Sequence, residues 1–113
     1  MLTTRWQDKS YLEMENRQKV LNLLGLAQRA NKLVTGEQLV LKQVRAKKAY
    51  LVFIASDGGQ STHKKISDKC QSYGVALSSN FSQLELSIAI GQKRSLIAVT
   101  DLGFSKKMRQ LLA

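Results

Sequence analysis

The sequence predicts an α/β fold: a three-layer α/β/α sandwich, with helices covering both faces of a small mixed sheet. Three observations carry this expectation. Tyr50 to Ala55, YLVFIA, is continuously apolar and β-prone, as a strand covered on both faces must be. Short β-prone runs alternate with segments of helical period along the whole chain. At 113 residues and 43% hydrophobic, the chain suits one compact domain with a core that needs no covalent staples.

Each element has its own local justification. Residues 1–15 are polar and lack a clear period, and MENRQKV from Met14 reads like a natural start. They are expected to form an N-terminal extension or upstream start, partly helical, with Trp6 and Tyr11 packing on the surface. From Asn16 onward Val20, Leu21, Leu24 and Ala27 recur at helical spacing, and Asn31, which tolerates the left-handed conformation, ends that helix. Leu33 to Thr35 is a short strand and Gly36 to Lys47 the second helix. After the YLVFIA strand, Asp57-Gly58-Gly59 turns the chain into a helix from about Ser61 to Tyr73, stopped by Gly74. Val75 to Ser78 is a strand. Ser82 with Glu85 three residues later is a capping box that opens the next helix. Gly91 to Ser95, GQKRS, is a basic loop, Leu96 to Thr100 a strand, and Phe104 to Leu112 the last helix. The domain therefore spans residues 16–113, and no internal repeat is visible.

Charge points to the partner. Eighteen Lys and Arg against 8 Asp and Glu give +10, with a pI near 10.1. That balance predicts an anionic partner, nucleic acid or an acidic membrane surface. The apolar runs are far too short to span a bilayer and no signal-peptide pattern is present, so a cytoplasmic protein with no membrane partner is expected.

The second helix sharpens the prediction. Advancing 100° per residue puts Val40, Leu41 and Val44 in one arc, toward the core. Gln38, Lys42 and Arg45 fall in an opposite arc of roughly 60°, with Leu39 near it. Gly36, followed by Glu37, opens the helix where free N–H groups and the positive dipole end favour a phosphate. Lacking a Cβ, Gly36 also admits close approach of a nucleic-acid backbone. Thr35 and Gln38 alternatively fit a capping box, which gives both a structural task. The loop with Gly91, Lys93 and Arg94 can lie at the same end of the sheet, and the two elements would then form a cleft for a bent RNA. Gly91 also fits a helix C-cap. Lys106, Lys107 and Arg109 read as a solvated face.

At these residues a family resemblance emerges. TGEQLVLKQVRAKKAYLVFIASD followed by GQKRSLIAVTD resembles the kink-turn RNA-binding ribosomal-protein family, which includes the large-subunit ribosomal proteins seven-Ae and thirty-e. The match covers about residues 16 to 112 and is closest to the small bacterial YlxQ-like members. In that family a Gly-x-Asn-Glu-x-x-Lys stretch contacts the sheared G·A pairs of a kink-turn, and the later loop wraps a flipped-out nucleotide. The resemblance implies that Gly36 and Lys42 take the glycine and lysine roles, and that Gly91 and Arg94 take the loop, with Lys93 beside them. Gln38 stands where the family has Asn and still donates and accepts at a base edge. Leu39 stands where it has Glu and does neither. The resemblance thus implies a binder of structured RNA, ribosomal or regulatory, with a general nucleic-acid or ribosome-surface adaptor as the competing reading; a monomer is expected.

Catalysis finds few candidates. The one histidine and one cysteine, His63 and Cys70, lie seven apart on one expected helix without a third metal ligand. A single cysteine excludes an intramolecular disulfide. SDGGQSTHKK lacks the order of a phosphate-binding loop. Asp57 and Asp68 are acid/base candidates by type, but Asp57 reads more simply as a turn or cap residue. Neither a cofactor nor a metal is expected, and the chain is expected not to be an enzyme.

Overall fold

The computed structural model of the chain describes residues 4–113, with side chains described from residue 11 onward. Nine elements follow in order: α1 Thr4–Arg29, β1 Leu33–Thr35, α2 Glu37–Arg45, β2 Leu51–Ile54, α3 Gln60–Tyr73, β3 Ala76–Ser78, α4 Gln83–Ile90, β4 Leu96–Val99 and α5 Leu102–Leu112. The strands form one mixed sheet in the order β1-β4-β2-β3. β4 runs antiparallel to both β1 and β2, while β2 and β3 are parallel. A parallel pair needs a crossover, and α3 supplies it.

Both central strands are buried on both faces, and their alternation sorts the core into two layers. Leu51 and Phe53 of β2, with Ile97 and Val99 of β4, face α1, α4 and α5, where Val20, Leu24, Leu86 and Met108 meet them. Val52, Ile54, Leu96 and Ala98 face α2 and α3, meeting Val40, Val44, Ile66 and Cys70. The expected three-layer sandwich is therefore the observed one. Phe53 and Phe81 stack at a tilt, with centroids 5.9 Å apart. Burying a side chain of this size stabilises by about 1.5–3 kcal/mol.

Local signals hold at the element ends. Asn31 adopts φ 62°, and Gly74 and Gly91 end α3 and α4 in the left-handed conformation. The Ser82–Glu85 capping box is complete. Arg17 of α1 clamps the same helix start: it donates to the Asn80 carbonyl at 2.8 Å and to Glu85 at 2.9 Å, and lies 4.5 Å from the Phe81 ring centroid. The serine backbone N–H, then Arg17, hold the Glu85 carboxyl below its ordinary value.

At the N-terminus the helical part of the extension runs straight into the first helix. α1 is continuous from Thr4, so residues 4–15 prolong the first helix across position 16. Tyr11 is 63% exposed and does not pack on the surface as expected. The Trp6 side chain lies outside the described residues. Among the described residues no helix is long and apolar enough to cross a membrane.

Candidate nucleic-acid interface

The antiparallel pairing of β1 with β4 builds the site. Its register sets Thr35 opposite Ile97, so the end of β1 lies beside the start of β4. The chain leaves β1 through Gly36 into α2, and it enters β4 from the Gly91–Ser95 loop. Two segments far apart in sequence thereby meet at one end of the sheet.

Gly36 has φ 91° and ψ 152°, a backbone region essentially confined to glycine. Its own N–H donates to the Leu96 carbonyl at 3.2 Å, pinning the turn to β4. The first intrahelical bond of α2 runs from the Val40 N–H to the Gly36 carbonyl at 3.0 Å. The N–H groups of residues 37–39 thus precede the helix ladder, and no side chain caps them. A Cβ on Gly36 would meet nothing within 4 Å, so the space over the turn is open. The alternative capping box of Thr35 and Gln38 is not formed. Gly36 itself is the N-cap, and the Thr35 hydroxyl instead accepts from Arg94 Nε at 3.1 Å.

The loop side is equally ordered. The Ser87 hydroxyl accepts from the Arg94 N–H at 3.0 Å and donates to the Arg94 carbonyl at 3.2 Å. A second Arg94 guanidinium N–H donates to the Lys93 carbonyl at 2.8 Å. Arg94 therefore stands fixed across the gap, with its remaining N–H donors uncommitted. Gly91 is the left-handed C-cap of α4 that starts the loop, as its sequence position suggested.

Between the two segments lies a cleft of about 350 Å³, lined by Gly36, Glu37, Thr62, Gln83, Lys93, Arg94, Ser95 and Leu96. Lys93 is shared with a neighbouring groove of about 450 Å³ that includes Gly91, Leu84 and Ile88. Of the residues expected at the site, Gly36, Glu37, Lys93 and Arg94 line the cleft and Gly91 the adjoining groove. Gln38, Lys42 and Arg45 line neither. They lie exposed on the outer face of α2, while Val40, Leu41 and Val44 are buried, as the helical period required. Leu39 is 55% exposed beside them. Glu37 brings a negative charge to the cleft, and Lys65 of α3 offsets it with an ion pair of 3.2 Å.

The sequence carries no local sign of Thr35 as the partner of Arg94, of Lys65 as the partner of Glu37, or of the Arg17 clamp. Only the position of Thr35, next to Gly36, hinted at its place in the site. Asp57 acts as a cap, accepting the Gln83 N–H at the start of α4 at 2.9 Å. Cys70 is buried, and burial pushes its thiol up to about 11. Among the described residues no group of three or more His, Cys, Asp or Glu is placed to hold a metal ion.

Fold and cleft define a small α/β/α sandwich domain with a basic, glycine-opened end. The chain belongs to the ribosomal protein L7Ae/L30e/S12e/Gadd45 family, whose pattern matches residues 18–109. It is 44% identical over 97 residues to the RNA-binding protein YlxQ of Enterococcus faecium, spanning 86% of this chain and 94% of that one. The RNA-binding protein YlxQ of Bacillus subtilis (strain 168) is 45% identical over 91 residues, 80% of this chain and 91% of that one. A solved structure of a protein of unknown function from Bacillus halodurans C superimposes with a TM-score of 0.80 at 44% identity, covering 83% of this chain and 96% of the other. The Giardia lamblia 15.5kD RNA binding protein shares the fold, with a TM-score of 0.76 at 22% identity over 87% of this chain and 85% of that one.

Proposed function

We propose that this protein is a non-catalytic RNA-binding module that recognises structured, kink-turn-like RNA, acts as a monomer in the cytoplasm and associates with the ribosome. The observation that carries the reading is the Arg94–Thr35 hydrogen bond, which holds a basic loop across an uncapped helix start. The names of the YlxQ relatives support RNA as the partner. In this reading the free N–H groups of residues 37–39 take a backbone phosphate at the open Gly36 turn. Gln38 reads a base edge, and Lys42 and Arg45 hold the strand along α2. Glu37, tied to Lys65, lines the approach and orients the base side of the RNA. Gly91, Lys93 and Arg94 grip the bulged strand. No cofactor takes part.

One observation favours a second reading. Leu39 is 55% exposed beside the basic face, where a family member that reads G·A pairs carries Glu. A general nucleic-acid or ribosome-surface adaptor would use such a leucine for protein contact and hold RNA by charge alone.

The deciding experiment compares Lys42→Ala with Lys107→Ala in titrations of a kink-turn RNA. Lys107 lies on α5, away from the cleft. The kink-turn reading expects Lys42→Ala to weaken binding about tenfold and Lys107→Ala to change it little. Equal losses would favour diffuse charge and the adaptor.

A further inference from the structure

The opposite end of the sheet carries a second basic surface, separate from the cleft. Leu33 of β1 and Leu51 of β2 both pair with Val99, so the residues flanking them meet at that end. The Thr100 N–H and hydroxyl both reach the Lys32 carbonyl, at 2.9 and 3.0 Å, and the Tyr50 N–H donates to the Val99 carbonyl at 2.9 Å. Lys32, Thr100 and Tyr50 therefore form a row across the sheet end. Lys47 and Lys48, leaving α2, lead directly into it. Lys32, Lys47, Lys48 and Tyr50 are all exposed, and none of the three lysines has an ion-pair partner among the described residues. The nearby carboxylate of Asp101 is occupied with the Phe104 N–H at the start of α5.

Lys47 stands in the left-handed conformation, φ 59°, at the helix-end position where glycine is favoured. The dipole of α2 favours a cation over its last turn, but it gives no reason for an exposed tyrosine among three unpaired lysines. That combination suits single-stranded nucleic acid: lysines neutralise phosphates, and an aromatic ring offers a base a stacking face. We propose that Lys32, Lys47, Lys48 and Tyr50 bind a single-stranded RNA segment, so that the domain holds two RNA segments at opposite ends of its sheet. The strands set the two sites roughly 13 Å or more apart. The proposal rests on the reading of the Gly36 cleft as an RNA site, and its test separates the two.

The test immobilises a folded kink-turn RNA, loads it with protein, and then adds a labelled short oligouridylate. The native complex captures the oligouridylate. A triple variant, Lys32→Gln, Lys47→Gln and Lys48→Gln, binds the folded RNA within about twofold of native and captures the oligouridylate about tenfold less. Tyr50→Ala lowers capture with no change of charge. A charge-matched control on α5, Lys106→Gln, Lys107→Gln and Arg109→Gln, leaves capture near native. Equal loss in that control, or undiminished capture by the triple variant, overturns the proposal. If the folded RNA fails to load, the cleft reading fails instead. Direct titration of the free protein with oligouridylate then still compares native with triple variant and decides this end on its own.

Discussion

Arg94 Nε donates to Thr35 Oγ1 at 3.1 Å, across 59 residues of sequence. The bond ties the loop before β4 to the residue before the Gly36 turn and so links the two halves of the cleft. Thr35→Val keeps the β-branched shape and removes the acceptor. It is expected to lower folding stability by no more than about 1 kcal/mol, because the bond is exposed. RNA affinity should fall several-fold, with Arg94→Ala giving a larger loss and the double variant less than the sum of the two. Additive losses in that cycle would mean that the bond does not couple the halves.

Gly36 should be intolerant of any side chain, for a backbone reason. Its φ of 91° lies in the region that L-residues avoid, although a Cβ would clash with nothing. Gly36→Ala is expected to destabilise by about 1–3 kcal/mol in denaturant titration. A native-like stability would show that the turn relaxes without glycine.

The α4 cap satisfies backbone N–H groups at the helix start and so contributes to stability. Ser82→Ala should cost about 1 kcal/mol, and Glu85→Gln a similar amount through the Arg17 ion pair and the box. Because the Glu85 carboxyl is held below its ordinary value of 4.5, its contribution is present above that pH and fades as pH falls through the lower, folded value. Thermal melts between pH 7 and acid should therefore converge for native and Glu85→Gln. Parallel curves would contradict this linkage.

Cys70 predicts the opposite pH limit. Its thiol is raised from 9.0 to about 11 by burial, so the unfolded chain releases the proton first as pH rises. Its contribution is intact below about pH 9 and declines from there toward pH 11. Cys70→Ala should remove that share of the alkaline decline. In native protein the thiol should resist alkylation near neutral pH until the chain unfolds, and rapid labelling would show that the site opens.

Legibility in the sequence followed the range of the interaction. The buried arc of α2 and its outward Gln38, Lys42 and Arg45 came from helical period alone. Asn31, Gly74 and Gly91 were readable as helix ends because residue type signals the left-handed conformation. Lys47 takes the same conformation without that signal, so the expected end of the helix lies two residues beyond the observed one. Thr35–Arg94 and the Arg17 clamp depend on strand order and helix packing, which no local pattern encodes. The polar, aperiodic sequence of residues 4–15 allowed a partly helical extension but not its continuity with the first helix.

The proposed function requires the Gly36–Arg94 cleft to select a folded RNA motif. It is tested most directly by titrating the protein with a kink-turn RNA and with the same RNA carrying replaced G·A pairs, at one physiological salt concentration. A preference of about tenfold or more for the intact motif is expected, since a lost base contact costs on the order of 1–3 kcal/mol. Equal affinity for the two RNAs would contradict it and leave charge alone as the basis of binding.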